Sequence, residues 1–494
     1  MTPPFTTSGL KSKLHEHFGF RRFRPGQAAA VQAALEGRDT LVLMPTGSGK
    51  SLCFQLPALE MDGMTVVVSP LIALMKDQVD QLRSRGISAQ EFNSTLSPAQ
   101  RREAEAAIAA GKIEFVYTTP EQLATPEFRA LFKQQTLDLF VVDEAHCVSQ
   151  WGHDFRPEYL ALGEAIAELG RPPVLALTAT STEDIIDDIL QQLRIVDAEI
   201  IHTGFHRPNL QLAVTSARGE AEKKSRLLEL LHGGEGCGII YTATVKAVEE
   251  ITEFLIAHGI AAAGYHGRMA AKRRTEVQEQ FMAGEVRAMV ATNAFGLGID
   301  KPDIRFVIHY HLPGTLEAYY QEVGRAGRDG QPARGTLLYD PEDRKLQRFF
   351  QTNRYPDEAD LVNAHHALRR LADQKKPPTL AEIEAISPLP KAKLKVCLDL
   401  FVNRRIVRSE SGRRYRLVRV EMTREELAGA GQSYRERQDR DQSKQQRMAE
   451  YGEGHACRWE TILSYFDSQE LAAGRCGHCD ICGLSAAERP PEAA

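Results

Sequence analysis

The chain has no apolar run of the roughly 18 residues that a membrane-spanning helix needs, so no segment is expected to cross a bilayer. Its start, Met1-Thr-Pro-Pro-Phe-Thr-Thr-Ser8, has neither a basic stretch nor an apolar core, and no secretory signal is expected. Positive charge is not in excess: 61 Lys and Arg face 66 Asp and Glu, for a net charge of -5. That excludes a basic coat or tail protein, and any contact with nucleic acid must rest on local patches. There is no internal repeat at the spacing of solenoids. Cysteine is sparse over most of the chain, where Cys53, Cys147, Cys237 and Cys397 stand far apart and read as small buried residues. What remains is an ordinary globular composition, 43% hydrophobic and 26% charged, over 494 residues. That length suggests about three domains.

From residue 10 to about 345, short apolar runs alternate with longer helical patterns. Residues 40–44, 65–69, 115–118, 139–143 and 174–178 read as strands buried on both faces, as do 238–241, 261–265, 288–292, 306–310 and 335–339. Apolar strands separated by helices imply parallel α/β sheets, here two in tandem, with the polar stretch near Ala217–Lys224 as the link. Beyond 345 the texture turns helical and Arg-rich. Helical periodicity covers 358–373 and 379–404, and 407–418 reads as two short strands about a Ser-Gly turn. Helices closed by a hairpin are the pattern of a winged helix. Residues 424–450 read as one polar helix, and the Pro-, Glu- and Ala-rich stretch 485–494 as a disordered tail.

The chemistry begins at Met44-Pro-Thr-Gly-Ser-Gly-Lys-Ser51, a Gly-rich turn between a strand and a helix. In a phosphate-binding loop the backbone around Thr46, Gly47, Ser48 and Gly49 wraps the phosphates, Lys50 pairs with the β- and γ-phosphates, and Ser51 holds Mg²⁺. Met44 stands where the general pattern has Gly. At the end of a later strand, Asp143 can bind Mg²⁺ and Glu144 can polarise the attacking water. Arg325 and Arg328, in Gln321-Glu-Val-Gly-Arg-Ala-Gly-Arg328, can supply positive charge to the γ-phosphate. Spaced three apart, they are expected on one helix face. They belong to the second α/β domain and the loop to the first, so ATP would lie between the domains and its hydrolysis would release them. Taken singly, each of these segments would suit a solvated turn; together they describe a motor.

The motifs identify a resemblance to superfamily 2 helicases, and within them to the RecQ family of DNA helicases. It rests on Phe18–Gln27, the phosphate loop, Ser69–Gln78, Thr118–Glu121, Asp143–Tyr159, Ala176–Thr180, Ala291–Lys301 and Gln321–Gly330. The resemblance implies two RecA-like parallel-sheet motor domains, residues 1–210 and 211–350. It implies that Gln27 and Arg24 read adenine, that Gln321 lies at the nucleotide, and that Thr178 and Thr180 couple the ATP site to DNA. Trp151, His153, Phe155 and Arg156 fall in the segment similar to the family's aromatic-rich loop, with His153 as relay. Aromatics interleaved with Arg, Gly and His suit stacking on single-stranded bases, although a Trp/Phe/Tyr set more often fills a core.

Near the C-terminus Cys457-x18-Cys476-x2-Cys479-x2-Cys482 has the spacing of a closed tetrahedral zinc site. An iron–sulfur cluster would use the same thiolates. The family carries such a zinc module, with an aromatic-bearing helix after the first Cys, as at Trp459–Phe466. Here the order departs from the usual plan. The winged-helix-like region, 355–422, precedes the zinc module, 424–484, and the family's further helical domain is expected to be absent. Arg404, Arg405, Arg408, Arg413, Arg414, Arg416 and Arg419 crowd residues 401–420 against Glu410 alone and point to DNA phosphates. The resemblance implies an ATP-dependent DNA helicase that moves 3′ to 5′, with Mg²⁺ and structural Zn²⁺, in DNA repair or recombination. Its expected partners are single-stranded and forked DNA, ATP and a single-stranded-DNA-binding protein. A cytoplasmic, nucleoid-associated monomer is the default expectation.

Overall fold

The computed structural model describes residues 7–149, 156–179, 182–296, 299, 301–374, 376–410, 414–471 and 474–483. The chain forms two compact units. One comprises the residues up to His311, Glu317–Leu338 and the chain from Gly454 onward; the other comprises Leu312–Leu316 and Tyr339–Glu453.

The first unit is built on two sheets. Strands β1 (Thr40–Leu43), β2 (Met64–Val68), β3 (Ala89–Phe92), β4 (Phe115–Thr118), β5 (Leu137–Val142), β6 (Val174–Thr178) and β7 (Glu199–His202) form a seven-stranded sheet ordered β3-β4-β2-β5-β6-β1-β7. Its pairings are parallel, as the run of apolar, doubly buried strands requires. Strands β8 (Leu210–Ser216), β9 (Cys237–Tyr241), β10 (Ala262–Tyr265), β11 (Ala288–Ala291), β12 (Ile304–His309) and β13 (Ala333–Tyr339) form the second sheet, ordered β10-β11-β9-β12-β13-β8. The polar stretch 217–224 is not the link between them. β8 already belongs to the second sheet, and a helix runs from Gly219 to His232. Its polarity is that of a solvated helix start, with Glu220 and Glu222 in the first turn. In β1, β2, β4 and β6 every residue is buried, and the loops carrying the chemistry leave their C-terminal ends.

In the second unit the helix Glu358–Arg370 starts on a capping box in which Asp357 and Asp360 serve each other's backbone N–H groups. A bridge joins Thr379 to Arg414, Thr379 caps the helix Leu380–Glu384, and the helix Lys391–Asn403 follows. β14 (Val407–Glu410) and β15 (Arg414–Leu417) close the order as an antiparallel hairpin. This helix, bridge, two helices and hairpin pack around Leu361, Leu368, Ile383, Leu398 and Phe401. The helical periodicity of 379–404 is interrupted between Glu384 and Lys391, where Pro388 and Pro390 remove backbone donors. The expected single helix of 424–450 is two, Arg424–Ala430 and Gln432–Glu453, parted at Gly431. The long helix ends in the second unit while the cysteine segment belongs to the first, so the units divide the 424–484 stretch at Gly454. No described helix is long and apolar enough to cross a membrane.

Candidate nucleotide site and cysteine centre

The turn after β1 passes through Gly47 and Gly49 at φ +81° and +84°, a left-handed backbone that side-chained residues rarely adopt. Lys50 and Ser51 end the turn and the helix Leu52–Ala58 begins. Lys50 is half-buried, and its Nζ donates to the Met44 carbonyl at 3.3 Å. Burial lowers its pKa; Glu144 and Asp143 oppose that, and Arg328 adds to it. This one ammonium thus sits in the field of two carboxylates from the first sheet and an arginine from beyond the second.

Asp143 lies just past β5. Its N–H donates to the Val68 carbonyl at 2.8 Å, and Ser69 Oγ donates to its carboxylate at 3.3 Å. Burial, and then Glu144 beside it, push its carboxyl well above the usual range, against the pull of Lys50. Glu144 stands at φ +50°, and its Oε2 is 3.3 Å from His146 Nδ1. The same His146 nitrogen is 3.1 Å from the Thr178 hydroxyl at the end of β6. The buried His146 ring thus stands between the acidic pair and the Thr178 turn, hydrogen-bonded to the latter. Sequence reasoning did not single out His146, Ser69 or Gln78, whose Nε2 donates to Ser51 Oγ at 3.1 Å. All three lie inside segments that carry the resemblance.

Arg325 and Arg328 do not share a helix face. The helix Leu316–Val323 has ended, and both lie in the turn that follows, punctuated by Gly324, Gly327 and Gly330. Arg325 is buried and donates to the Gly296 carbonyl. Arg328 donates to the Ile299 carbonyl at 2.8 Å, and its stem lies on the phosphate loop, where a Cβ added to Gly47 would meet its Cγ at 2.6 Å. A Cβ on Gly324 would come 3.5 Å from Thr46 Cβ, so the arginine turn faces the loop. Gln27 gives its amide to the carbonyls of Ser48 (3.1 Å) and Gly49 (3.0 Å), and its Oε1 accepts from Arg24 N–H at 2.8 Å. Arg24 in turn donates to the Gly47 carbonyl. Gln321 lies in the helix that leads to the arginine turn.

Trp151, His153, Phe155 and Thr180 lie outside the described residues. Arg156, at the edge of that loop, donates from its backbone to the Cys147 carbonyl at 3.0 Å and from its guanidinium to the Pro70 carbonyl at 3.3 Å. The arginines of the hairpin are less unopposed than the local sequence suggests. Folding brings Glu382 to Arg414 (3.8 Å) and Glu426 to Arg419 (2.8 Å), beside the Arg416–Glu410 pair (2.5 Å). Arg404, Arg405 and Arg408 stay exposed, with no ion pair among the described residues; Arg413 lies outside them.

The ligand atoms of Cys457, Cys476, Cys479 and Cys482 all lie within 4.8 Å of one another, and the Cys457 and Cys479 sulfurs are 4.0 Å apart. Four thiolates about 2.3 Å from one tetrahedral ion would stand roughly 3.8 Å apart, so the cluster fits a metal of that size. Cys457 precedes the helix Arg458–Tyr465, and the other three sit on a short knuckle. The Cys476 N–H donates to Cys457 Sγ at 3.3 Å and the His478 N–H to Cys476 Sγ at 3.4 Å, contacts suited to thiolate charge. His478 turns Nδ1 to the Cys476 carbonyl instead of joining the set.

The chain has relatives among known proteins. Residues 24–189 match the DEAD/DEAH box helicase family, 222–330 the helicase conserved C-terminal domain and 414–483 the RecQ zinc-binding family. The chain is 44% identical over 340 residues to the probable ATP-dependent DNA helicase RecS of Bacillus subtilis, covering 68% of each. It is 45% identical over 343 residues to the ATP-dependent DNA helicase RecQ of the same bacterium, covering 69% of this chain and 57% of that one. The RecQ of Haemophilus influenzae is 44% identical over 332 residues, with 67% and 53% covered. The match therefore spans little more than half the length of these two RecQ proteins. Among solved structures, the Mycobacterium smegmatis helicase Lhr bound to ssDNA and AMP-PNP superposes with a TM-score of 0.56 at 24% identity, over 79% of this chain and 57% of that one. Yeast (S. cerevisiae) Dbp5 bound to RNA and ADP BeF3 gives 0.56 at 19% identity, over 71% and 91%. Those two share the fold. By these matches the chain, with its two parallel sheets and its four-cysteine centre, belongs to the RecQ family of ATP-dependent DNA helicases, within superfamily 2.

Proposed function

We propose that the chain hydrolyses ATP between its two sheets to move 3′ to 5′ along single-stranded DNA and to separate duplex ahead of it, in DNA repair or recombination. The observation that carries this reading is the convergence on the phosphate loop: the stem of Arg328, from beyond the second sheet, lies where a Cβ on Gly47 would fall, Arg24 and Gln27 bond the loop's carbonyls, and the charges of Glu144, Asp143 and Arg328 bear on Lys50. In this reading the 46–49 backbone and Lys50 hold the phosphates, and Glu144 orients the attacking water. Ser51 and Asp143 offer hard oxygen donors to Mg²⁺, which when bound neutralises phosphate charge. Arg325 and Arg328 meet the charge that develops on the γ-phosphate. Arg24 and Gln27 read adenine, whose edge competes with the Ser48 and Gly49 carbonyls for the Gln27 amide. Gln321 adds to the site from the second-sheet side.

The segment Trp151–Arg156, with Thr178 and Thr180, transmits DNA binding to this site; the His146 link from Glu144 to Thr178 supports that route. The four cysteines hold a structural Zn²⁺, and the exposed Arg404, Arg405 and Arg408 meet DNA phosphates. The working unit is a monomer, and a single-stranded-DNA-binding protein is a further partner. The test is ATP turnover with single-stranded DNA or RNA, together with unwinding of duplexes bearing 3′ or 5′ overhangs. DNA-stimulated turnover and unwinding from the 3′ overhang are expected, and Lys50→Ala is expected to abolish turnover while sparing DNA binding. Stimulation by RNA alone, or turnover that survives Lys50→Ala, overturns the reading.

A further inference from the structure

The stretch that joins the two sheets, between the end of β7 at His202 and the start of β8 at Leu210, is gripped from two directions. On one side stands the cysteine segment. Glu470 accepts from the backbone N–H groups of Phe205 (2.6 Å) and His206 (3.0 Å), one on each carboxylate oxygen. Gly204, at φ +85°, makes room for it: a Cβ there would fall 2.4 Å from Glu470 Oε2. Trp459 Nε1 donates to the Leu210 carbonyl at 3.0 Å, and Asp480, held by Arg458, accepts from Val214 N–H at 2.9 Å. On the other side stands the arginine turn. Arg207 Nη1 donates to the Gly324 carbonyl at 2.7 Å, and Nη2 to those of Ala326 (2.9 Å) and Gly327 (2.6 Å). These are the carbonyls immediately before and after Arg325 and immediately before Arg328. Asn209 adds a bond to Gly327 at 2.8 Å.

We infer that Arg207 is a positioning residue for ATP hydrolysis: it fixes the backbone that carries Arg325 and Arg328, and Glu470 fixes Arg207's own segment to the cysteine knuckle. The physical case has three parts. The carbonyls lie past the end of the helix Leu316–Val323, where its dipole is negative and a guanidinium is favoured. Three bonds from one planar fork set the turn in a single orientation, which the three donors of an ammonium on a flexible stem do not reproduce. Burial lowers the pKa of Arg207; Tyr320 opposes that, and the charges of Arg328 and Arg24 add to it. A cation with its donors spent on backbone carbonyls serves geometry. Turnover is sensitive to that geometry, because a misplacement of about 1 Å in a catalytic group can cost on the order of 100-fold.

The inference rests on the proposed role of Arg325 and Arg328, and the experiment separates the two. Arg207→Ala, Arg207→Lys, Arg328→Ala and the double Ala variant are compared in the full chain for kcat and KM of DNA-stimulated ATP turnover and for melting temperature. Arg207→Ala is expected to lower kcat about 10- to 100-fold with the KM for ATP within about twofold, and Arg207→Lys to recover part of the loss. In the Arg328→Ala background the same change is expected to cost less than it does alone, because one of the two arginines it positions is gone. Glu470→Ala is the companion variant should Arg207→Ala fold poorly, with a smaller loss in the same constant. An equal loss in both backgrounds, or a fall in melting temperature with kcat intact, overturns the positioning role. Should Arg328→Ala itself leave kcat unchanged, the assignment of the arginines falls, and this inference with it.

Discussion

The side chain of Arg328 occupies the space that a residue larger than glycine at position 47 would need: the two are close enough that a Cβ on Gly47 would sit 2.6 Å from Arg328 Cγ. Gly47→Ala therefore meets two obstacles, a left-handed backbone that costs about 1–3 kcal/mol for a side-chained residue and a collision with the arginine. The expected outcome is a loss of ATP turnover of about 100-fold or more with single-stranded DNA affinity retained, checked by steady-state hydrolysis and fluorescence anisotropy. Turnover within about threefold of the unmodified chain would show that the loop and the arginine are not mutually constrained.

His146 joins Glu144 to Thr178 through one ring nitrogen, with contacts of 3.3 and 3.1 Å. His146→Ala removes the orienting contact but leaves the phosphate loop untouched. It is expected to lower kcat about 10- to 100-fold with little change in the KM for ATP. Thr178→Val, which keeps the strand's packing, should reproduce a smaller part of the effect. A rise in KM with kcat unchanged would place His146 in ground-state binding instead.

The four sulfurs form one set, so metal content should be all or none. One zinc per chain is expected, released when a mercurial titrates the thiols and followed by a colorimetric chelator. Cys479→Ala, at a fully buried position, is expected to lose the metal and to lower the melting temperature by several degrees. Iron with a visible absorption band in the purified chain would instead favour a cluster.

His311 predicts a pH limit. Burial, and then the neighbouring Lys223, push its imidazole down to about 3, and its Nδ1 accepts from Ala243 N–H at 3.3 Å as a neutral ring must. The unfolded chain takes up a proton below about 6.5 and the folded chain does not, so more protons are bound in the unfolded state between about pH 6.5 and 3. Stability should therefore fall as the pH is lowered from about 6.5, and be insensitive to this group above it. Chemical denaturation at a series of pH values checks this, with His311→Gln expected to flatten the acid limb. An unchanged slope would assign the limb to other groups.

Most of the strands that were legible in the sequence are buried on both faces, such as Thr40–Leu43 and Val174–Thr178; the exception is the edge strand Ala262–Tyr265, read as buried on both faces but half-exposed throughout. The three that were not, Ala89–Phe92, Glu199–His202 and Leu210–Ser216, are all sheet edges with exposed or half-exposed positions, so the apolar run that marks a central strand is diluted. The same logic explains the misplaced link: without Leu210–Ser216 the second sheet appears to begin too late. The loop, the acidic pair and the cysteines were legible because their chemistry is local in sequence. The arginines were legible as residues but not in their setting, since three closely spaced glycines end the helix that simple spacing would continue. Arg207 left no signal, because the carbonyls it binds are more than a hundred positions away. The ion pairs that temper the Arg-rich hairpin likewise come from Glu382 and Glu426, outside the run.

One contact in the second unit bears on how such a chain is put together. Tyr339, where the chain enters that unit, donates its hydroxyl to Glu453, where the chain leaves it, at 2.8 Å, and Arg344 pairs with the same carboxylate at 2.7 Å. A segment whose two ends touch is a cassette. It can be gained, lost or exchanged in a single event without pulling apart the residues on either side, because the gap it leaves is short enough for a few residues to bridge. The helices and hairpin of this unit thus stand between the second sheet and the cysteine segment in the chain at no cost in connectivity, and the same closure makes the unit a natural port for grafting a different domain in its place.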